Sequence, residues 1–285
     1  MKKLMLSTTL QQRLDRLHKK PGDLTYEGCD INDLSGKPMV AVVGTRKPTP
    51  YGKLVTEQLV RDLVRAGVVI VSGLAIGIDG IAHIIALSEK GITIAVLPSG
   101  VQSVYPALHQ TLAKKIVAND GALLSEYALN HTPRKKEFLE RNRIIAALVD
   151  AVIIPEAAAH SGSLNTANHA YDMKIPVFAV PGPITSPMSA GTNYLLKEKA
   201  HTITEASDVF AILNINKQNT ALPLDYTGDT EAETLILQKI AKGITNNHEL
   251  QKETKLSIEE FQMAATMLEI AGRITQDESG NWNIR

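Results

Sequence analysis

Short, unbroken apolar runs recur through the first two thirds of the chain, and each ends at a small or polar residue. The runs occupy residues 39–43, 68–71, 92–97, 122–124, 151–154 and 176–180. A strand buried on both faces reads as a continuous apolar run, whereas a strand with one solvated face alternates apolar and polar residues. These runs therefore predict the strands of a parallel sheet that is covered on both faces.

Segments with helical spacing lie between the runs, at residues 53–66, 79–90, 108–119 and 138–148. Glycine follows the first two of these segments, and glycine just past the last turn is a frequent helix stop. The alternation predicts an α/β fold over residues 39–213, an extended Rossmann-type, mostly parallel doubly wound sheet with right-handed crossovers. Such sheets bind their ligands at the carboxyl ends of the strands.

Two further segments lack this alternation. Residues 1–38 are punctuated by Pro21-Gly22 and Ser35-Gly36, so we expect a short lead-in without a compact fold of its own. Residues 214–228 are mostly polar and predict a linker.

Residues 229–285 predict a small C-terminal winged-helix domain, with three helical segments followed by a hairpin. Ser257 and Glu260 have the spacing of a capping box that opens the third helix. That helix, residues 257–271, contains three glutamates and no lysine or arginine. Winged helices that read duplex DNA often carry basic residues there, and a helix with this acidic charge would repel phosphates. We therefore expect this domain to contact a protein or to regulate access to the ligand-binding groove of the sheet domain.

Charge and composition narrow the class of protein. The 30 basic and 30 acidic side chains cancel, which argues against a protein that coats duplex DNA by bulk charge. Residues 229–285 hold 6 basic and 10 acidic residues, a net charge of −4, so the first 228 residues carry +4 and should meet any polyanion.

The same composition bears on compartment and cofactors. The single cysteine, Cys29, has no partner for an internal disulfide, and the chain shows neither a secretory signal nor an apolar run of membrane-spanning length. The eight histidines are scattered. We therefore expect a cytoplasmic protein with no membrane association, no metal and no cofactor.

The loop after the first run, residues 44–52, has features of a phosphate site. Gly44 permits a tight turn, Thr45 and nearby amides can donate hydrogen bonds, and Arg46 can clamp a phosphate, with Lys47 beside it. The second and third glycines of the dinucleotide fingerprint are absent. An ordinary strand–loop–helix turn would use the same residues, so this loop alone leaves both interpretations open.

A second candidate anion site spans residues 72–83. Ser72, Gly73 and Gly77 precede a helix whose positive end would face the ligand side of the sheet. Asp79 would serve equally well as a cap for that helix. We expect His83 to be packed or hydrogen-bonded rather than catalytic.

A third candidate is the densest basic cluster of the chain, residues 134–143. Lys135 and Arg141 can neutralise successive phosphates, and Phe138 can stack on an unpaired base, with Asn142 nearby. The alternative is an exposed helix start whose phenylalanine lies in the core.

A fourth candidate follows the run at residues 151–154. Ser161, Gly162, Ser163 and Thr166 are small or hydroxylated residues of the kind that cap helices in any protein. Their position at the same edge of the predicted sheet as the other loops favours anion binding.

Taken in order, these motifs resemble the DNA-processing protein A family (DprA/Smf). The resemblance runs from about residue 21 to residue 213 and rests on Gly-Thr-Arg-Lys with Tyr-Gly, Ser-Gly-Leu-Ala-Ile-Gly-Ile-Asp, Ala-Val-Leu-Pro-Ser-Gly with Tyr105-Pro106, Leu-Leu-Ser-Glu-Tyr, Phe-Leu-Glu-Arg-Asn-Arg-Ile-Ile-Ala, Ser-Gly-Ser-Leu-Asn-Thr-Ala, and Val-Pro-Gly with Gly191-Thr192-Asn193. The trailing winged helix also matches the usual C-terminal domain of the family.

The resemblance implies a protein without an established enzymatic reaction. Members bind single-stranded DNA, form homodimers, and help displace single-strand-binding protein so that RecA recombinase can assemble during natural transformation. By motif position, the resemblance implies a phosphate pocket and a strand-tracking surface formed by Gly44, Thr45, Arg46, Ser72, Gly73, Gly77, Lys135, Phe138, Arg141, Asn142, Ser161, Gly162, Ser163 and Thr166.

The chain departs from the family pattern in two places. Ile76 stands where many relatives have Arg or Lys, so one phosphate contact is expected to be missing, and Lys47 or Lys135 could compensate for it. The helical N-terminal domain of several relatives is expected to be absent, leaving only the lead-in.

An enzyme is the alternative. Related Rossmann-type pockets hydrolyse nucleoside monophosphates, and Glu126 or Glu156 could act as the acid or base. Those relatives usually carry Pro-Gly-Gly-x-Gly-Thr, whereas this chain has Pro155-Glu156 followed by Ala-Ala-Ala-His-Ser-Gly-Ser. An NAD oxidoreductase is disfavoured because the glycine fingerprint and the acidic ribose ligand are missing.

Overall fold

The computed structural model describes residues 2–215, 226, 228–241, 243–277 and 280–284. The chain forms two compact units, Met1–Leu222 and Pro223–Arg285. Most of the linker predicted at residues 214–228 lies outside the described residues. No helix in the described ranges is both long and apolar enough to cross a membrane.

The first unit is built around a nine-stranded sheet. Its strands are β1 Lys2–Lys3, β2 Thr25–Gly28, β3 Met39–Val42, β4 Val69–Ser72, β5 Thr93–Val96, β6 Ala122–Ser125, β7 Ala151–Ile154, β8 Val177–Ala179 and β9 His201–Thr202. They are ordered β1-β2-β6-β5-β4-β3-β7-β8-β9. All neighbours from β6 to β9 pair in parallel, and β1 and β2 are antiparallel additions at one edge. The six predicted strands and the mostly parallel sheet are confirmed.

Helices cover both faces of this sheet. They are α1 Thr8–Asp15, α2 Pro50–Arg65, α3 Ile78–Ser88, α4 Gln110–Ala118, α5 Glu137–Leu148, α6 Ser163–Asp172, α7 Ala190–Glu198 and α8 Ala206–Leu213. Successive residues of β3 enter different cores: Met39 and Ala41 pack with α1, α5 and α6, whereas Val40 and Val42 pack with α2, α3 and α8. The strands are fully apolar because both of their faces are buried, and the doubly wound sheet is confirmed.

The direction of winding reverses next to β3. The chain proceeds from β3 through β4 and β5 to β6 on one side, and then returns to place β7, β8 and β9 on the other. At such a switch point the loops that leave the two central strands diverge to opposite faces and open a crevice. The crevice here lies beyond the carboxyl ends of β3 and β7.

Residues 1–38 lie within the first unit and do not form a separate lead-in. β2 pairs with β6, and Leu10 and Leu14 of α1 are buried in a core shared with α5. Arg13 donates to the carbonyl oxygen of Leu148 at 2.6 Å and pairs with Asp150 at 2.8 Å. The Pro-Gly and Ser-Gly pairs thus mark turns between elements that pack as part of the sheet unit.

The second unit has the winged-helix arrangement. Its elements are α9 Glu231–Ala241, α10 Asn247–Thr254, α11 Ile258–Ile270, and the antiparallel strands β10 Ile274–Gln276 and β11 Trp282–Ile284. Trp282 is buried among the helices, and its backbone N–H donates to the carbonyl oxygen of Thr245 at 2.8 Å. The capping box of Ser257 and Glu260 is present at the start of α11. Met263, Met267 and Ile270 on α11 are exposed.

Candidate nucleic-acid interface

A cavity of about 1000 Å³, here called the main cavity, opens where the loops after β3 and β7 diverge. Eleven of the predicted site residues line it: Gly44, Thr45, Arg46, Lys135, Phe138, Arg141, Asn142, Ser161, Gly162, Ser163 and Thr166. Four others, Lys47, Ser72, Gly73 and Gly77, are not part of the lining. The structure therefore brings predicted residues from three separated segments to one edge of the sheet.

The loop after β3 is held tightly against its neighbours. Thr45 donates its N–H to the carbonyl oxygen of Glu156 at 2.9 Å and accepts the N–H of Ile78 at 3.1 Å, which joins the loop to β7 and α3. A Cβ on Gly44 would lie 2.8 Å from the same Glu156 oxygen, so only glycine permits this approach. Arg46 is exposed at the rim of this rigid loop.

An aromatic pair forms part of the rim. Phe138 is half-buried and meets Tyr105 edge-on, with ring centroids 5.4 Å apart and an interplanar angle of 76°. The guanidinium of Arg46 lies over the Phe138 ring at 5.4 Å. The ring is therefore at the cavity and not in the hydrophobic core, the alternative left open by the sequence. Tyr105 was not among the predicted site residues, and its only signal was its place in the Tyr105-Pro106 motif.

Arg141 occupies a different position from the one expected for a strand-tracking residue. It is only 4 % exposed, and its Nη1 donates to the carbonyl oxygen of Gly73 at 2.7 Å and to that of Val96. Burial lowers its pKa to about 10, while the carboxylate of Asp79 acts in the opposite direction. Arg141 therefore stays charged at neutral pH and lies below the cavity as a fixed positive charge.

Asp79 is a buried carboxylate whose charge interacts with that of Arg141. Burial raises its pKa, and the charge of Arg141 and backbone N–H groups oppose that rise. The N–H of Gly73 donates to its Oδ2 at 3.1 Å. Asp79 therefore ties the loop after β4 to the first turn of α3. It is not the cap expected from the sequence, because Gly77 is the N-cap of α3 and no side chain caps it.

The three residues of the predicted second anion site lie outside the lining of the main cavity. Ser72 is fully buried and donates to the carbonyl oxygen of Val42 at 2.6 Å. A Cβ on Gly73 would lie 2.7 Å from Asp79, and Gly77, with φ of +92°, presses against the backbone of Thr45. Because the backbone of this segment contacts the loop after β3, these residues support the cavity from below.

Lys47 is exposed, whereas His83 is buried. Lys47 is exposed next to the lining, and its N–H donates to the hydroxyl of Thr45 at 3.2 Å. His83 is fully buried with its Nδ1 2.6 Å from the hydroxyl of Thr93, and burial lowers its pKa to about 3. The expectation that His83 is packed and hydrogen-bonded is met in the structure.

The start of α6 forms the opposite wall. Gly162 is the N-cap and supplies no side-chain cap, and a Cβ there would meet only Leu139, at 3.9 Å. The hydroxyls of Ser161 and Ser163 lie 2.8 Å apart, and Asn142 donates to the carbonyl oxygen of Gly162 at 3.2 Å. The N–H groups of Ser163, Leu164 and Asn165 already donate to Ser161 and Gly162, so this wall offers an anion the hydroxyl groups of Ser161 and Ser163.

Residues 5–214 match the model of the family described as DNA recombination-mediator protein A. The chain belongs to this recombination-mediator family. The matched residues coincide with the sheet unit, so the family assignment concerns the fold that carries the main cavity.

Similar proteins from other bacteria agree with this family assignment. DNA processing protein DprA of Bacillus subtilis is 41% identical over 197 residues, covering 69% of this chain and 66% of that protein. Protein Smf of Escherichia coli is 42% identical over 189 residues, covering 66% of this chain and 50% of Smf. A Mycobacterium tuberculosis relative is 37% identical over 251 residues, 86% of this chain and 64% of its own length. The chain therefore spans about half to two thirds of the length of these curated relatives.

Two solved structures of recombination-mediator relatives have the same architecture. DNA processing protein A of Streptococcus pneumoniae superposes with a TM-score of 0.67 at 39% identity, over 73% of this chain and 72% of that one. DNA processing protein A of Helicobacter pylori, in a structure concerned with its single-stranded DNA binding mode, gives a TM-score of 0.67 at 37% identity, over 75% and 95%.

The two carboxylates of the hydrolase alternative do not line the main cavity. Glu156 is buried and accepts the N–H and the hydroxyl of Thr49 at 2.8 and 2.6 Å. Glu126 pairs with Arg143, and burial raises its pKa against the effect of that arginine. Neither carboxylate is placed for acid or base chemistry on a ligand in this cavity, so the recombination-mediator family is favoured over the hydrolase.

Proposed function

We propose that this protein binds single-stranded DNA in the main cavity. The supporting observation is the convergence, in one cavity, of two exposed cations, Arg46 and Lys135, an accessible ring, Phe138, and the hydroxyl groups at the start of α6. Cations and hydroxyl donors suit phosphates, and an aromatic ring stacks on any base whose face is exposed.

The unbound arrangement of Arg46 fits this proposal. Its guanidinium rests on Phe138, a contact that contributes about 0.5–1 kcal/mol at an exposed site. Such a weak contact is readily exchanged for a charge-assisted hydrogen bond to phosphate. Arg46 would then turn from the ring to the backbone of the strand and leave the ring face to a base.

We further propose that the protein is a recombination mediator in the cytoplasm and not an enzyme. In this role it acts as a homodimer, protects incoming single-stranded DNA, displaces single-strand-binding protein and helps load RecA recombinase during natural transformation. Membership of the recombination-mediator family supports this role. The Helicobacter pylori relative, whose structure concerns single-stranded DNA binding, supports the choice of ligand.

A salt titration of oligo-dT binding, compared with a duplex of equal length, tests the proposal. Arg46→Ala and Lys135→Ala should each lower the slope of log affinity against log salt by about 0.7, the value for one lost phosphate contact on a single strand. Phe138→Ala should weaken binding by about 1–3 kcal/mol with little change in slope.

Lys114→Ala is the matched control, because Lys114 is exposed on α4 and outside the cavity lining. It should leave the affinity and slope within error of the unsubstituted protein. Failure of the unsubstituted protein to bind oligo-dT at low ionic strength would contradict the proposal. Release of free base from nucleoside monophosphates would instead support the hydrolase.

A further inference from the structure

A second cavity of about 560 Å³ lies between the start of α2 and the loop that follows β8. Tyr51, Thr49 and Glu156 form one side of it, and Pro181 and Pro183 lie in the loop on the other. The same loop reaches the main cavity through Pro187. Thr49 also follows directly on the loop that carries Arg46. The two cavities are therefore neighbours along one edge of the sheet.

The chemistry of the second cavity is opposite to that of the first. In the part of the chain that the structure describes, no lysine or arginine lines it, and the carboxylate of Glu156 lies in its wall with both oxygens bonded to Thr49. A carboxylate in a lining without such a cation disfavours a phosphate. What remains is an exposed tyrosine ring, two prolines and serine hydroxyls, which suit an uncharged planar group with polar edges.

The tyrosine is held in place before any ligand arrives. The hydroxyl of Tyr51 donates to the carbonyl oxygen of Pro181 at 3.0 Å, while the residue remains 44 % exposed. Asn193 fixes the adjacent Gly182 through two hydrogen bonds of 3.0 and 3.2 Å. A ring that is already ordered loses little conformational entropy when a ligand stacks on it.

We propose that this second cavity binds a nucleobase, the neighbour of the nucleotide whose phosphate occupies the main cavity. This inference rests on the proposed function, because the base reaches Tyr51 only on a strand held by Arg46 and Lys135. The acidic wall directs the sugar-phosphate backbone towards the basic cavity and the base away from it. Tyr51 is then a second stacking platform beside Phe138.

The test compares binding of oligo-dT with binding of an abasic sugar-phosphate strand of equal length. Tyr51→Ala should weaken oligo-dT binding between about fivefold and 150-fold, the range for one lost base stack, with an unchanged salt slope. Its affinity for the abasic strand should stay within about twofold of the unsubstituted protein. Tyr51→Phe, which keeps the ring and removes the bond to Pro181, should bind oligo-dT nearly normally.

Tyr194→Ala is the matched control, since Tyr194 is 57 % exposed and lines neither cavity. An equal loss on both strands, a loss in Tyr51→Phe as large as that in Tyr51→Ala, or no loss at all would overturn the base site. Any of these three results would count against the second cavity alone, because the unsubstituted protein would still bind oligo-dT. Absence of that binding, or an Arg46→Ala protein with normal affinity, would instead remove the proposed function.

Photo-crosslinking of the unsubstituted protein gives a readout that does not depend on the folding of any variant. A strand containing 5-iododeoxyuridine should crosslink to the peptide that holds Tyr51 as well as to the one that holds Phe138. Crosslinks confined to the Phe138 and Tyr105 peptides would overturn the second base site.

Discussion

Replacing Arg141 by methionine should destabilise the sheet unit because the buried arginine links separate elements through its hydrogen bonds. Its side chain joins α5 to the carbonyl oxygens of Gly73 and Val96, at the ends of β4 and β5, and it offsets the buried charge of Asp79. Methionine has a similar length but donates no hydrogen bond and carries no charge. The substitution therefore leaves two buried acceptors and one buried carboxylate without their partner.

The expected loss can be estimated from these contacts. A buried acceptor left without its donor costs about 1–3 kcal/mol. Two such acceptors lose their donor here, and loss of the arginine charge also removes an interaction that opposes the burial of Asp79. We therefore expect the free energy of unfolding of the sheet unit to fall by about 3–5 kcal/mol. With a urea dependence of about 2 kcal/mol/M, the midpoint would fall by about 2 M.

The interaction between Arg141 and Asp79 gives this loss of stability a pH dependence. Without Arg141, the pKa of Asp79 should rise further, because the arginine charge opposes the effect of burial. A carboxyl whose pKa is raised in the folded state destabilises the fold above its ordinary pKa, and this penalty is relieved as pH falls through the folded value. The deficit of Arg141→Met should therefore be smaller near about pH 5 than near about pH 8.

Urea unfolding followed by two signals can assign the effect to one unit. Trp282 is the only tryptophan and lies in the core of the winged-helix unit, whereas far-UV circular dichroism is dominated by the larger sheet unit. The dichroism midpoint should fall and the tryptophan midpoint should not. Arg46→Met is the control, because the Arg46 side chain is exposed. If the free energy of unfolding of Arg141→Met lies within about 0.5 kcal/mol of that of the unsubstituted protein, the stabilising role of Arg141 is refuted.

Three further predictions follow from the structure. Gly77→Ala should lower the free energy of unfolding by about 1–3 kcal/mol and weaken oligo-dT binding, because φ is +92° and the new Cβ would press on the Thr45 backbone below Arg46. Thermal unfolding and oligo-dT binding measure the two effects, and an unchanged stability and affinity would contradict the prediction. Ile76→Arg should steepen the salt slope by about 0.7, since Ile76 is exposed beside the lining residue Ala75; an unchanged slope would mean that the side chain does not reach the strand. The fragment 229–285 should not bind duplex DNA at moderate salt, because its third helix carries no basic residue; tight binding in a mobility-shift assay would show the expectation to be wrong.

The sequence alone predicted the central architecture and the edge that carries the main cavity. Unbroken apolar runs are a local property, and a run such as residues 151–154 predicts a doubly covered strand without knowledge of its neighbours. Parallel strands present all their carboxyl ends at one edge. The loops holding Thr45, Phe138 and Ser161 could therefore be assigned to one site before their distances were known.

Only the tertiary structure decided which side chains of those loops line the main cavity and which are buried beneath it. Arg141 turns inward because Asp79 and two strand-end carbonyls from distant segments lie there, and Ser72 is covered because the Val42 carbonyl lies within 2.6 Å. Tyr105 reaches the rim through a contact with Phe138, 33 positions further along the chain. Burial depends on neighbours that are far apart in sequence, so periodicity can predict a residue's element and its loop but not the depth at which its side chain finally lies.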